Sequence, residues 1–296
     1  MKHFIDIQDC TREEIMHLLS LAETIRAEIK SGVFRSDLKK KTVGLIFQKP
    51  SNRTRVSFEV GVAQLGGRCL GFQPQEIDLG RREPVKDVSR VLSRFLDMVM
   101  IRTFSHQDIQ EFAAYSSIPV INGLSDYSHP CQALADALTI RDAFPGQDPI
   151  RVAYLGDPNN VCRSLVEICS ICGFEIIVSS PEPAVFEGQD YHYEKDPQKA
   201  VRGAHVIYTD TWISMGEENA EKKVEKLEPY QVNMALMNLA HKDAIFMHCL
   251  PAHRGEEVTD EVIEMDKSRV FDQAENRLHA QKAVLTTLSD GLIKGV

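Results

Sequence analysis

The sequence has no long apolar run, no cysteine framework and no excess of positive charge. No window of the 296 residues approaches about eighteen uncharged apolar positions, so we expect no membrane-spanning segment. The N-terminus reaches an acid, Asp6, where a signal peptide would continue its apolar stretch, which predicts a cytoplasmic protein. Seven cysteines without regular spacing argue against a secreted disulfide scaffold. The net charge of −9 argues against nucleic acid as a partner.

Metal-binding and dinucleotide-binding patterns are also missing. Cys169 and Cys172 form a C-x-x-C pair, but they end an apolar helical stretch at Gly173, and no second pair completes a zinc site. We expect these two cysteines to be buried residues of one helix. The loop over residues 156–160 lies between a predicted strand and a predicted helix, yet it lacks the G-x-G-x-x-G spacing. The sequence therefore predicts no metal and no cofactor.

The charge is spread unevenly along the chain. Residues 1–147 contain 19 basic and 18 acidic side chains, a net charge of +1. Residues 148–296 contain 15 basic and 25 acidic side chains, a net charge of −10. The segment Pro145–Pro149 between them has the composition of a linker. We expect two domains, 1–147 and 148–296, of which the first is better suited to an anion and the second to a cation.

Short apolar strands alternate with helical segments along the chain. The strands are expected at residues 42–47, 68–72, 97–102, 118–121, 151–155, 175–178, 205–209 and 244–249. This alternation predicts an α/β protein with two doubly wound domains, each a mostly parallel sheet with helices on both faces. A last helix, over about residues 275–292, should close the chain and pack back on the first domain. Ligands of such sheets bind beyond the carboxyl ends of the strands.

The segment Ser51–Arg55 is the first candidate binding site. It follows the predicted strand 42–47 and precedes an amphipathic helix expected over Val56–Leu65. Free N–H groups and the positive end of the helix dipole favour an anion there, and arginine forks suit phosphate. The alternative is a solvated basic loop. Arg102 ends another predicted strand of the same sheet, which favours a shared anion pocket.

Four motifs resemble those of the transcarbamylase family and occur in the family's order. Residues Ser51–Arg55 resemble its S-T-R-T-R loop, and His129–Gln132 resembles its H-P-x-Q motif. Residues Asp210–Gly216 are similar to the D-x-W-x-S-M-G loop of the ornithine branch, and His248–Pro251 matches that branch's H-C-L-P. The resemblance covers essentially the whole chain.

The resemblance implies an activity and an assembly. The carbamoyl group of carbamoyl phosphate would pass to the δ-amine of L-ornithine, giving L-citrulline and phosphate in arginine biosynthesis, without a cofactor. The enzyme would be a homotrimer with sites at subunit interfaces. One alternative is another acceptor amine, namely putrescine, a modified ornithine or aspartate. A second is an inactive metabolite-binding relative, which would be expected to lack Arg53, Arg102 or His129, all of which are present.

The resemblance also implies roles for individual residues. Those that would bind carbamoyl phosphate are Ser51, Asn52, Arg53, Thr54, Arg102, His129, Gln132, Cys249, Leu250 and Arg277. Those that would act on the reacting carbamoyl group are Arg102, His129, Gln132, Cys249 and Arg277. Those that would bind ornithine are Asn160, Asp210, Ser214 and Met215. An acidic side chain suits the ammonium of an amino acid, whereas a second substrate carboxylate would need cationic groups.

Two positions depart from the family pattern. Asn52 stands where the family has threonine, a mild change if this position contributes its backbone N–H. Asp78 stands where a neighbouring subunit usually supplies a neutral or basic donor, and a carboxylate would repel phosphate. Asp78 then points away, or Arg81 or Arg82 replaces it, or the residues align differently.

Overall fold

The computed structural model describes residues 1–213 and 220–293. The chain divides into two compact units, the first comprising Met1–Ala135 and the chain from Asn276 onward, the second comprising Asp136–Glu275. Each unit contains a parallel sheet with helices on both of its faces, so the predicted fold class is confirmed. Within the described ranges no helix is long and apolar enough to cross a membrane.

The first unit is built on a four-stranded sheet. Its strands are β1 (Thr42–Phe47), β2 (Arg68–Phe72), β3 (Met98–Arg102) and β4 (Val120–Leu124). Its helices are α1 (Arg12–Lys30), α2 (Asn52–Gln64), α3 (Val85–Leu92), α4 (His106–Tyr115) and the start of α5 (Pro130–Ala143). The strands pair in parallel in the order β2-β1-β3-β4. All four predicted strands are observed; β4 begins after Pro119, which has no N–H to donate to a neighbouring strand.

Helix α2 begins earlier than the sequence predicted, at Asn52 rather than Val56. Ser51 is its N-cap in extended conformation, and the Ser51 hydroxyl accepts a hydrogen bond from the Thr54 N–H at 3.3 Å. A serine N-cap satisfies one of the free amides of the first turn, which extends the helix to this point. The segment Ser51–Arg55 is therefore the cap and first turn of α2 rather than a loop before it.

The second unit is built on a five-stranded sheet. Its strands are β5 (Arg151–Leu155), β6 (Glu175–Ser179), β7 (His192–Tyr193), β8 (Val206–Thr209) and β9 (Ile245–His248). Its helices are α6 (Asn160–Cys172), α7 (Pro197–Ala200), α8 (Ala220–Leu227), the 3₁₀ helix η1 (Glu228–Tyr230), α9 (Met234–Met237) and α10 (Asp260–Glu264). The parallel order is β7-β6-β5-β8-β9. The short β7 has two residues, too few to show a pattern in the sequence.

Each sheet has one point at which the strand order reverses. In the first unit this point lies between β1 and β3, whose last paired residues are Phe47 and Arg102. In the second unit it lies between β5 and β8, whose last pair is Leu155 and Thr209. Crevices open at the carboxyl ends of strands at such points. The α2 N-terminus follows the first point, and Asp210 follows the second.

The last helix, α11, spans Val270–Ile293 and begins before the predicted Glu275. Its residues from Asn276 onward belong to the first unit, where polar side chains attach it. Lys282 donates to the Gln64 side chain at 2.8 Å, and Thr286 donates to the Asp37 carboxylate at 2.9 Å. Buried polar groups are almost always hydrogen-bonded in folded proteins. These two bonds therefore hold the helix against α2 and against the segment before β1.

Protonation of the His3 side chain is expected to lower the stability of the folded protein in acid. Its Nδ1 accepts the Val120 N–H at 3.1 Å, and burial, then Lys2, lower its pKa to about 4. Because the unfolded pKa is about 6.5, the unfolded chain binds more protons between these two values, and stability falls as the pH drops through that window. We expect the urea midpoint to fall less on acidification from pH 7 to pH 5 in His3→Gln than in the wild type. The exposed His17→Gln is the control; equal acid sensitivity of all three proteins would contradict the prediction.

Candidate active site

The N-terminus of α2 offers backbone amides together with an arginine. Thr54 is almost fully buried, whereas Arg53 is half-buried and Arg55 is exposed. Arg55 pairs with Glu59 one turn along the helix, with its Nε 2.9 Å from the carboxylate. The alternative interpretation of this segment, a solvated basic side chain, therefore applies to Arg55. The first turn has no acidic side chain to occupy the positive end of the helix dipole. Arg53 is therefore the arginine of this turn suited to an anion.

Two buried arginines converge on the hydroxyl of Thr54. Arg102 Nη1 lies 3.4 Å from the Thr54 hydroxyl oxygen, and Arg277 Nη2 lies 3.1 Å from it. Arg277 Nη1 also donates to the Gln132 side-chain oxygen at 2.8 Å. The exposed fractions are 7% for Arg102, 4% for Arg277 and 1% for Gln132. These acceptors are neutral oxygens, so the group has positive charge in a buried place and suits an anion or a polarised carbonyl.

His129 lies at the start of α5, beside this group. Its backbone carbonyl accepts the N–H groups of Gln132 and Ala133, at 3.0 and 3.2 Å. Burial, followed by the positive charges of Arg277 and Arg102, holds its pKa well below the usual value. The imidazole is therefore neutral near pH 7, where one ring nitrogen donates a hydrogen bond and the other accepts one. A neutral imidazole can polarise a carbonyl oxygen without adding a charge to the site.

In the second unit, Asp210 connects two predicted motifs. The buried carboxylate accepts a hydrogen bond from Asn159 Nδ2 at 2.7 Å and from the Cys249 thiol at 2.9 Å. Asn159 also caps α6, because its side-chain oxygen accepts the N–H groups of Val161 and Cys162 at 2.9 and 3.1 Å. A carboxylate fixed on both of its oxygens is well positioned for a substrate ammonium.

The His248–Pro251 loop follows β9 and has an unusual backbone. Leu250 has φ of 57°, in the left-handed region that side chains rarely adopt. Its N–H donates to His248 Nδ1 at 2.9 Å, and the His248 N–H donates to the Gln273 side-chain oxygen at 3.0 Å. Non-glycine residues in this region cost ~1–2 kcal/mol and persist where the surroundings impose them. The loop is therefore held in one conformation by its neighbours.

The remaining predicted residues are less informative. Asn52 is exposed in the first turn of α2, and Asn160 is half-buried in the first turn of α6. Ser214 and Met215 lie outside the described residues. The half-buried Asp78 accepts the Arg81 and Arg82 N–H groups with its backbone carbonyl, at 3.1 and 3.0 Å. Whether Asp78 faces a neighbouring subunit stays a prediction.

Three supporting residues had no signal in the sequence. Gln273 donates to the Asp136 carboxylate at 2.7 Å and lies 3.1 Å from the Tyr208 hydroxyl, which donates to the same carboxylate at 3.1 Å. All are buried, and Gln273 also accepts the N–H of His248. The two helix positions carry no motif, so only the folded chain identifies this network. Asn159 lies in the predicted loop over residues 156–160, and nothing in the sequence indicates its contact with Asp210.

The C-x-x-C pair lies on one helix as predicted, but only one of its two cysteines is buried. Cys169 is buried and Cys172 is partly buried, neither is in a disulfide, and burial raises the pKa of Cys169 well above its usual value. The helix ends at Gly173, which adopts the left-handed conformation of a C-terminal cap. The fold does bring together Asp210, His248 and Cys249, whose ligand atoms lie within 4.8 Å, a grouping that their spacing in the sequence did not show.

Two family descriptions match the chain. Residues 2–142 match the carbamoyl-P binding domain of aspartate/ornithine carbamoyltransferase, and residues 148–288 match its Asp/Orn binding domain. A relative from Caldicellulosiruptor saccharolyticus, named ornithine carbamoyltransferase, is 46% identical, covering 99% of this chain and 100% of its own length. One of the same name from Pyrococcus horikoshii is 48% identical, covering 98% of this chain and 96% of its own.

Solved structures agree with the sequence comparisons. The ornithine carbamoyltransferase of Pyrococcus furiosus superposes with a TM-score of 0.92 at 47% identity, covering 96% of each chain. The anabolic ornithine carbamoyltransferase of Campylobacter jejuni has a TM-score of 0.91 at 38% identity, covering 98% of this chain and 100% of its own. These matches extend over nearly the full length of the chain. The chain belongs to the aspartate/ornithine carbamoyltransferase family.

Proposed function

We propose that this protein is an ornithine carbamoyltransferase, which transfers the carbamoyl group of carbamoyl phosphate to the δ-amine of L-ornithine and releases L-citrulline and phosphate. The observation that carries the proposal is the buried group of Arg102, Arg277, Thr54 and Gln132. Two buried guanidinium groups placed around a hydroxyl and an amide oxygen offer hydrogen-bond donors and positive charge to an anion, and carbamoyl phosphate supplies both a phosphate and a carbonyl. Relatives of this name match nearly the whole chain.

In this proposal the first unit binds carbamoyl phosphate. The phosphate accepts hydrogen bonds from the backbone amides of the α2 first turn, including that of Asn52, and from the Ser51 and Thr54 hydroxyls. Arg53 and Arg102 supply its counter-charges. A helix N-terminus with arginine forks is a common arrangement for phosphate. Three observations support this assignment: the helix cap at Ser51, the absence of an acidic side chain from the first turn of α2, and the burial of Arg102.

The carbonyl oxygen of the carbamoyl group gains negative charge as the amine attacks its carbon. We assign its stabilisation to His129, Gln132, Arg102 and Arg277, whose fixed donors replace water around that oxygen. One well-placed donor of this kind contributes ~3–4 kcal/mol to lowering the barrier. The C–N bond forms, the bond from the carbamoyl carbon to the phosphate oxygen breaks, and phosphate leaves with the electron pair. The attacking nitrogen loses one proton, which passes to the leaving phosphate or to water. A role for Cys249 and Leu250 toward the same group stays a prediction from the resemblance.

The second unit binds ornithine in this proposal. Asp210 accepts the α-ammonium of the amino acid, with Asn160, Ser214 and Met215 completing the contacts. The orientation of Asp210 by Asn159 and Cys249 supports this assignment. The carboxylate and the net charge of −10 over residues 148–296 favour an acceptor with two amines over one with a second carboxylate. In this proposal residues 1–147 supply most of the carbamoyl-phosphate contacts and residues 148–296 supply the ornithine contacts, while Arg277 of the last helix belongs to the first unit.

The acceptor amine must lose its proton before it attacks. A free alkylamine titrates near ~10, as lysine does, so the neutral fraction rises about tenfold per pH unit below that value. We expect kcat/KM for ornithine to rise steeply between about pH 6 and about pH 9. Initial rates of citrulline formation over this range measure it. A flat profile would contradict amine deprotonation as a requirement of the reaction.

The direct test is citrulline formation by the purified full-length protein from carbamoyl phosphate and ornithine. Putrescine and aspartate are the comparison acceptors, each at the same concentration. We expect ornithine to be preferred by at least about a hundredfold, because Asp210 and the other proposed ornithine-binding residues contact the amino-acid end of this substrate. Preference for another acceptor would overturn the substrate assignment, and no turnover with any of the three would favour an inactive relative.

We further propose that the enzyme acts in arginine metabolism in the cytoplasm, as a homotrimer. The metabolic role and the trimer rest on the resemblance of the motifs rather than on any contact in a single chain, and the location stays a prediction from the sequence. The trimer would supply a donor near the phosphate from the Asp78 region of a neighbouring subunit. Because Asp78 is acidic, Arg81 and Arg82, which are both exposed, are the better candidates for that donor.

A further inference from the structure

A second group of metal-ligating side chains lies in the second unit, in the turn after Pro251. His253, Glu256 and Glu257 each offer one ligand atom, and these atoms lie within 4.8 Å of one another. His253 Nδ1 lies 3.7 Å from Glu256 Oε2 and 3.8 Å from Glu257 Oε2. The proposed reaction gives no role to any of these three residues.

The carboxylate of Glu257 is fully buried but only half satisfied. Its Oε1 accepts the His253 N–H at 2.6 Å and lies 3.1 Å from His248 Nε2. Its Oε2 has no hydrogen-bond partner among the described residues, and this is the oxygen that faces His253 Nδ1. A buried charge with one unsatisfied oxygen costs free energy unless a cation lies against it.

Neither His248 nor Arg254 supplies that cation. His248 Nδ1 accepts the Leu250 N–H, so this nitrogen has no proton and Nε2 donates to Glu257 as a neutral imidazole. The guanidinium of Arg254 pairs instead with Asp260, and with Glu264 at 2.6 Å. The buried, unsatisfied oxygen of Glu257 therefore faces His253 Nδ1.

The backbone of the turn is held in place while two of the ligands can move. Gln231 Nε2 donates to the backbone carbonyls of Gly255 and Glu256, at 2.9 and 2.7 Å. The Val232 N–H donates to the Glu257 carbonyl at 2.9 Å. The side chains of His253 and Glu256 are 48% and 51% exposed, so they can rotate without disturbing packing. The site is thus largely formed before an ion binds.

The ligand set indicates the type of ion. A four-coordinate ion with bonds of ~2.0–2.2 Å separates its ligands by ~3.3–3.6 Å, so the distances from His253 Nδ1 to the two carboxylates need to close by a few tenths of an ångström. The two carboxylate oxygens lie within 4.8 Å of each other, and rotation of the exposed Glu256 side chain can close that distance. An imidazole nitrogen with carboxylate oxygens suits zinc and similar transition metals, whereas magnesium and calcium prefer oxygen alone. We propose that His253 Nδ1, Glu256 Oε2 and Glu257 Oε2 bind a divalent cation of the zinc type, with water as the fourth ligand.

Cobalt titration of the full-length, metal-free protein tests this proposal. Co²⁺ adopts the same geometry as zinc, and its visible spectrum reports its ligands. We expect one equivalent of Co²⁺ to give tetrahedral visible bands without the near-ultraviolet charge-transfer band of a cysteine ligand, and Zn²⁺ to displace it. Failure to bind Co²⁺ or Zn²⁺ would overturn the proposal.

Matched variants locate the ion. His253→Gln and Glu256→Gln change exposed side chains, so the protein should fold, which circular dichroism can check. Each should weaken Co²⁺ binding about tenfold or more, since each removes one of three protein ligands. His241→Gln, which removes another exposed histidine lying 4.0 Å from an aspartate, should leave the affinity unchanged.

The group around Cys249 provides the competing outcome. If Co²⁺ bound Asp210, His248 and Cys249 instead, a thiolate charge-transfer band would appear and would be lost in Cys249→Ser. That result, or equal affinity of the wild type and the His253→Gln variant, would overturn the proposed site.

Discussion

Replacing Arg53 with alanine should lower kcat/KM for carbamoyl phosphate by about 10²–10³-fold, which corresponds to ~3–4 kcal/mol of lost transition-state stabilisation. Arg53 lies in the first turn of α2, where Ser51 caps the helix and the first turn has no acid. Its guanidinium and the helix dipole both favour the phosphate, and the negative charge of the leaving group grows as the reaction proceeds. Steady-state kinetics with carbamoyl phosphate as the varied substrate measure the loss.

Arg55→Ala is the matched control for this variant. Arg55 lies two residues along the same helix, is 57% exposed and pairs with Glu59. An exposed pair of this kind contributes little, so kcat/KM should change less than about twofold and stability by less than ~1 kcal/mol. A large loss in both variants would indicate a general effect of positive charge rather than a phosphate contact. Retained activity in Arg53→Ala would remove Arg53 from the site.

Replacing Asp210 with asparagine should raise KM for ornithine by about a hundredfold, because the substrate ammonium loses a buried charged partner. The amide can keep the local geometry, with its oxygen toward Asn159 and its nitrogen toward the Cys249 sulfur. The fold should therefore persist, and KM for carbamoyl phosphate should stay within about threefold, since the variant changes the ornithine contacts only. Varying each substrate in turn separates the two constants.

The control for this substitution is Asp243→Asn in the same unit. Asp243 is 62% exposed and lies beside His241, outside the groups discussed above. Both variants remove one negative charge, so an equal rise in KM for ornithine in both would indicate an effect of the overall charge of the protein rather than of a specific contact. An Asp210→Asn enzyme with normal ornithine affinity would show that another group holds the ammonium.

Short sequence patterns identified those parts of the candidate site that are formed by residues close together in the sequence. A serine N-cap and the first turn of a helix form within a few residues, so the Ser51–Arg55 segment was recognisable as an anion site. Arg102 followed from the parallel topology, because strand ends meet at one edge of a sheet. The start of α2 was placed too late, since periodicity reports the buried face of a helix and not its cap.

Residues that act through distant contacts were not recognisable in this way. Arg277 reaches Thr54 across 223 positions of the chain, and the resemblance alone had suggested it. Gln273 and Asp136 support His248 from two helices without any motif. Nothing in the sequence distinguishes Glu257 from its exposed neighbour Glu256, yet the Glu257 side chain is fully buried. Contacts between residues that are far apart in the sequence depend on the packing of the whole chain, and a short stretch of sequence does not contain that information.

The sequence by itself determined the fold class, the location of the candidate anion-binding turn and the acidic character of the second half. Each of these follows from periodicity, capping and composition, which are local or additive properties. Only the tertiary structure decided that Arg55 pairs with Glu59, that His129 is neutral, and that Asp210 is held by Asn159 and Cys249. Charge state and pairing depend on burial and on neighbours from distant parts of the chain, and these exist only once the chain has folded.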